Sequence, residues 1–265
     1  MFDQETSVTL SHEEALAILV LLQVARIPGL DGDPVQFLTA EQLTTGILCG
    51  ERSLRARDLA RIGADGRIQV QRDILELVGT CGYAEGSLIV THLVGNSMRS
   101  CFAHRRGEIF VLHTTPETGL HCFEGAGDRQ ALVDAVAAFS GWVEAFQGGE
   151  APVVASRHML DRAREAAVAQ KLVDARKILL GKNNPSEVVE RLVELLAAPY
   201  ELTVVQSVQP RDQDSVAIQS LSVLQTGAQQ WLMIQREPGP KEEEMYVLQP
   251  ATLLQAKAAI SALNW

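Results

Sequence analysis

Apolar and polar positions along the chain fall into two alternations, one of helical period and one of period two, and their order repeats. Ser11 precedes HEEALAILVLLQVARI, so its hydroxyl can cap the free amides of a first turn in which Glu13 and Glu14 also suit the helix dipole. Pro28 and Gly29 stop that helix. Thr39 opens a second helical pattern, AEQLTTGILCG. SLRARDLARI reads as a third, with Leu54, Leu59 and Ile62 on one stripe and Arg55, Arg57 and Arg61 elsewhere. DGRIQV reads as a turn and a short strand, and QRDILELVGTC returns to helical spacing. Strands follow, rich in β-branched and aromatic residues: SLIVTHLV, MRSCFAHR, EIFVLHT and GLHCFEG. Asp128 then caps the amphipathic segment RQALVDAVAAFSGWVEAF.

The polar, glycine-rich stretch Gln147 to Pro152 reads as a linker. Beyond it a long helical pattern runs from Ser156 to Leu180, and EVVERLVELLAA forms another that Pro199 ends. Four strand patterns come next, ELTVVQSVQ, SVAIQSLSVLQT, QQWLMIQRE and EMYVLQP, and Thr252 caps a last helix, TLLQAKAAISAL. Both halves therefore run helix, four strands, helix. DILELVGTCGYAEGSLIVTHLV corresponds in pattern to EVVERLVELLAAPYELTVVQSV, though hardly in identity. The expected fold is α+β in two related halves, each a largely antiparallel four-strand meander flanked by helices, arranged with quasi-twofold symmetry. Its boundaries are 1–146 for the first half, 147–155 for the linker and 156–265 for the second half. Short connections require antiparallel pairing, because a parallel pair needs a crossover.

Composition narrows the function classes. The 265 residues are 46% hydrophobic and 21% charged, the balance of a folding globular protein. A formal net charge of -10 argues against broad contact with nucleic-acid phosphate or anionic lipid. The apolar run Ala15 to Ala25 is too short to span a bilayer. The acidic start MFDQETSVTL is unlike a secretory signal, and Cys49, Cys81, Cys101 and Cys122 lack metal or redox spacing. Together these features favour the reducing cytoplasm.

Candidate chemistry is sparse. His92, His104, His113 and His121 lie on four successive strand patterns, but no HxH, HExxH or CxxC spacing accompanies them. In the hairpin SMRSCFAHRRGEIFVLHT, whose RRG connection uses Gly107 for a positive backbone dihedral, alternation puts Phe102 with His104 and Cys101 with Ala103. The histidines are read as dispersed, with no metal. No nucleophile elbow or P-loop is present, and GAGDR reads as a plain helix cap. Neither catalysis nor a cofactor is expected. A DNA-reading role for Arg55, Arg57 and Arg61 is outweighed by the acidic neighbours Asp58 and Asp65.

SLRARDLARIGADGRIQVQRDILELVGTCGYAEGSLIV, followed by FAHRRGEIFVLHTTPETGLHCFEGAGDRQALVDAVAAF, resembles the EspG family of type VII secretion-associated proteins. The matching pieces are Leu54 to Ile62, Asp65 to Arg67, Ile74 to Val78 and the strands from Ser87 to Phe123, and the duplicated layout is similar too. The connections at Asn96–Ser97 and Arg105–Gly107 are shorter than the loop the family often carries between early strands. The resemblance implies a non-enzymatic cytosolic chaperone or adaptor for a helical export substrate, in that family a PE and PPE protein pair gripped by the sheet and a neighbouring helical bundle. A small-molecule or anion-binding regulatory module and an enzyme with an unrecognised site rank behind it. For a protein partner, Arg105 and Arg106 at the hairpin tip and Trp231 as an aromatic anchor are the candidate contacts.

Overall fold

The computed structural model describes residues 6–24, 27–30, 39–144, 151–181, 184–212, 215–227, 229–236 and 244–265. The first half contributes β1 (Ser7–Ser11), α1 (His12–Leu22), α2 (Ala40–Ala56), β2 (Ala60–Ile62), β3 (Ile68–Val70), α3 (Arg72–Gly82), β4 (Gly86–Val94), β5 (Ser97–Arg106), β6 (Ile109–Thr114), β7 (Leu120–Ala126) and α4 (Arg129–Phe139). The second contributes β8 (Val153–Ser156), α5 (Arg157–Val168), α6 (Leu172–Leu179), α7 (Ser186–Ala197), β9 (Glu201–Asp212), β10 (Ser215–Gln225), β11 (Gln230–Arg236), β12 (Met245–Pro250) and α8 (Leu253–Ala262).

Both meanders enter one ten-stranded antiparallel sheet of order β1-β7-β6-β5-β4-β9-β10-β11-β12-β8, while β2 and β3 form a separate hairpin. Read from either end, each half lays down its strands in the same sequence. The two halves meet where β4 pairs antiparallel with β9. In that seam Val90 faces Val205 and Thr91 faces Val204.

Strand alternation sorts the core. Leu88, Val90, Cys101, Ala103, Phe110, Leu112, Val205, Leu221, Val223 and Leu232 point to one face, where α4, α8, Trp142 and Trp265 cover them. On the opposite face α1, α2 and α3 pack over the β5–β7 end around Val111 and Phe123. The bundle α5–α7 packs over the other end against Leu224, Trp231 and Leu248. Caps fix where the helices begin. Ser11, Thr39 and Thr252 form reciprocal capping boxes with Glu14, Gln42 and Gln255, and Asp128 and Ser156 each accept a first-turn amide.

Several sequence expectations are corrected. The second and third helical patterns are one helix, α2, which ends before Asp58 takes a left-handed backbone (φ 58°); the following ARI is strand β2. Leu54 is buried but Ile62 is half exposed, so the expected stripe does not form. The pattern from Ser156 to Leu180 breaks into α5 and α6 at Gln170 (φ 61°), and the helix after Asp128 ends at Phe139, with Trp142 folding back into the core. Strands β1 and β8 were not anticipated, and β8 begins inside the expected linker, of which 147–150 lie outside the described residues. The hairpin strands continue through Arg106, leaving Gly107 and Glu108 as the turn, and Gly107 takes the positive φ of 58° expected of it.

Candidate functional site

The two helical layers sit over opposite ends of one sheet face, and among the described residues the floor between them stays open. Register places Ile89 and Thr91 of β4, Val204, Gln206 and Val208 of β9, and Ile218 and Ser220 of β10 side by side on this floor. Toward one end it continues through Val216, and toward the β5 side through Met98. Ile218 is 59% exposed, Val216 55% and Met98 69%, values far from those of a covered sheet face. Among the described residues the pairing of β10 with β11 stops at Leu221 and Ile234, so there Val216 and Ile218 are paired with β9 alone. The result is an apolar trough floored by β-branched side chains, flanked by helices, and lined at its centre by the uncharged polar Gln206, Thr91 and Ser220. Such a surface can bury an amphipathic helix.

The sheet edges, by contrast, are blunted. On β8, Val154 gives its N–H to Asn184 Oδ1 at 2.9 Å and accepts at its carbonyl from Asn184 Nδ2 at 2.9 Å, while the same Nδ2 also donates to Leu179 O at 2.8 Å. One side-chain amide thus replaces a neighbouring strand. Pro152 before it lacks an N–H, and Ser156 after it caps α5. On β1, Arg57 Nη2 donates to Thr9 O at 2.9 Å and the Ser11 amide donates to Glu14 Oε2 at 2.9 Å. Blocked edges disfavour strand addition.

The three candidate contacts read from sequence are differently placed. Arg105 is half-buried: its Nη1 pairs with Glu85 at 2.9 Å and its Nε donates to Trp265 O at 3.0 Å, so it ties the chain's last residues to the first-half hairpin. Arg106 is exposed at the tip, with its guanidinium 5.2 Å from the Tyr83 ring centre. Trp231 is fully buried in the core beneath α5–α7, its Nε1 donating to Gln229 Oε1 at 3.1 Å, and it presents no surface to a partner. Sequence reasoning missed the trough itself. Its floor residues alternate like any sheet face, and only the fold shows that no helix among the described residues covers Met98, Val216 and Ile218.

The histidines do not disperse. His104, His113 and His121 share one face of β5, β6 and β7, and His12 at the start of α1 joins them. His12 Nδ1 lies 3.2 Å from His121 Nε2, His121 Nδ1 lies 3.1 Å from His113 Nε2, the rings of His113 and His104 stack at 6.2 Å, and His104 Nδ1 lies 2.9 Å from Ser87 Oγ. All four are buried. Burial pushes His104 down to about 3, and holds His113 well below the ordinary histidine range with help from His104 and His121. His92 stands apart on the other face, 2.9 Å from Thr203 Oγ1. Its burial outweighs Glu201, 3.6 Å away, so its ring is neutral and that approach is no ion pair. The row is linear rather than convergent, and among the described residues no group of three or more His, Cys, Asp or Glu side chains is arranged to hold a metal ion. The four cysteines are free, and burial pushes the Cys101 thiol up to about 12, far from a reactive thiolate.

This arrangement, two meanders in one antiparallel sheet with helices at both ends of one face and α4 with α8 on the other, is similar in fold to a solved chaperone of type VII secretion. The solved structure of the Mycobacterium tuberculosis type VII secretion system chaperone EspG5, in complex with a PE25-PPE41 dimer, matches 97% of this chain over 95% of its own, with a TM-score of 0.67 and 13% sequence identity. No family model and no curated protein matches the sequence. Among the described residues no helix is long and apolar enough to cross a membrane.

Proposed function

We propose that this protein is a non-enzymatic cytosolic adaptor or chaperone that holds a helical protein client, of the type VII secretion substrate class, on the open floor between its two helical layers. The observation carrying this reading is the pairing of an exposed apolar sheet centre with blunted sheet edges: Val216, Ile218 and Met98 face solvent while Asn184 and Arg57 occupy the edge positions of β8 and β1. A hydrophobic helix left unpaired aggregates, and a trough of this composition covers one without asking it to unfold. The EspG5 structure, which holds a PE25-PPE41 dimer on the same fold, supports the choice of client class. Arg106 at the exposed hairpin tip is a second contact, placed to meet a client carboxylate or helix C-terminus.

Co-expression with a PE/PPE-type pair tests the reading. The complex is expected to co-elute, and Ile218→Glu is expected to weaken it by about thirtyfold, roughly 2 kcal/mol, without shifting the melting temperature of the free protein. Co-elution that is indifferent to a charge on the floor would overturn this placement of the client. Failure of such pairs to bind at all would overturn the client class.

A further inference from the structure

The outer edges of the sheet are blocked at β1 and β8, but a third edge lies inside it, where β10 runs on without β11. The amide of Thr226 donates to Gln229 O at 2.8 Å, so at that end of β10 the backbone of Thr226 faces β11. Backbone groups alternate sides along a strand. Leu224 and Ser222, opposite Trp231 and Met233, therefore also face β11, and Ile218 and Val216 turn their N–H and C=O groups the same way. Yet the ladder with β11 stops at Leu221 and Ile234, while Val208 and Pro210, opposite Ile218 and Val216, belong to β9 on the other side. Among the described residues no strand or loop backbone pairs with these two donors and two acceptors.

A groove of about 620 Å³ runs beside this edge, lined by Ile218 and Ser220 of β10, Ile234 and Arg236 of β11, and Ala259 and Ala262 of α8. The Arg236 side chain is exposed and, among the described residues, stands in no ion pair.

The free groups select their occupant. A helix spends its backbone hydrogen bonds internally and cannot answer them, whereas an extended segment can. Pairing is antiparallel throughout this sheet. In that geometry two residues set opposite Ile218 and Val216 exchange two bonds with each, so about three consecutive residues take up all four groups. The first and third share a face with Ile218 and Val216 and pack beside their exposed side chains. Running against β10, the segment passes Ile218 before Val216, so the chain leading into it lies beside Arg236, and a cation there suits the C-terminal end of a helix.

We infer that the client helix is followed by a short extended segment that adds as a strand to the open edge of β10 at Val216 to Ile218, with the helix C-terminus beside Arg236. This rests on the trough being the client surface, and it adds main-chain recognition to a contact otherwise made by side chains.

Amide exchange read residue by residue by NMR, on the protein alone and bound to a PE/PPE-type pair, tests it. On binding, the Val216 and Ile218 amides are expected to slow by at least about hundredfold, and Ala217, whose amide faces β9, by less than about tenfold. Ile218→Pro removes the outward donor at an edge position where proline is tolerated, and Ile218→Val keeps it; the proline variant is expected to bind at least about tenfold more weakly than the valine variant. If the pair binds while the two amides exchange as in the free protein, or if the two variants bind alike, the strand addition is wrong and the trough reading stands. If the pair does not bind, both fall. The wild-type amides decide the matter even if the proline variant fails to fold.

Discussion

Replacing Asn184 by Ala removes a side chain that stands in for a whole strand. Three hydrogen bonds of 2.8 to 2.9 Å disappear, two of them to Val154 and one to Leu179 O. At a net value of about 0.5–1.5 kcal/mol each the loss lies between about 1.5 and 4.5 kcal/mol. Val154 is only half-buried, so water can replace part of what is lost, and about 2 kcal/mol is expected. For a chain of this length that corresponds to a melting-point drop of about 4–8 °C. Urea unfolding of both proteins, with the slope unchanged and the midpoint lowered, is the assay. The variant is also expected to elute as the parent does, because the freed N–H and carbonyl belong to one residue, and Pro152 and the helix cap at Ser156 prevent a longer ladder from forming. A change below about 0.5 kcal/mol would refute the idea that this amide closes the edge.

Other substitutions probe other joints. A methyl group at Gly86 would overlap the Trp265 backbone, so Gly86→Ala is expected to destabilise by about 1–3 kcal/mol in thermal unfolding. Arg57→Ala leaves the buried Glu14 carboxylate without its 2.6 Å partner and Thr9 O without its donor, and about 2 kcal/mol of loss is expected in urea, discounted for the exposure of Arg57. His104 is depressed when folded, so below pH 6.5 the unfolded chain takes a proton that the folded chain refuses, and stability falls with falling pH. At pH 5 this amounts to about 2 kcal/mol, which His104→Gln is expected to recover in unfolding titrations. Arg105→Glu would cut the ties to Glu85 and Trp265 and confuse folding with binding; Arg106→Glu alone is expected to leave the melting point in place and weaken client binding by about tenfold.

The meanders were legible because each strand carries period-two apolar residues and each connection a turn residue, and the helix starts because Ser11, Thr39, Asp128 and Thr252 are capping types at the right distance. What sequence alone did not reveal has specific physical causes. Strands β1 and β8 run straight into the caps Ser11 and Ser156, so no turn separates strand from helix. The breaks at Asp58 and Gln170 place ordinary residues in left-handed backbone, where glycine is the usual signal. Parity correctly put His104 beside Phe102, but only the register sets His113 opposite Phe102, and His12 arrives from far along the chain. The trough depends on the same kind of information. Its floor is defined by the β4–β9 seam between halves, a pairing that no local pattern encodes.

The most direct test of the account is a hydrogen-exchange footprint of the protein bound to a PE/PPE-type client. Protection is expected to increase in β4, β9 and β10 and along the adjoining helices α5–α7, with no change at β1, β8, α4 or α8. A footprint centred on α4 and α8, or on either sheet edge, would contradict the central claim that the open floor between the helical layers is the binding surface.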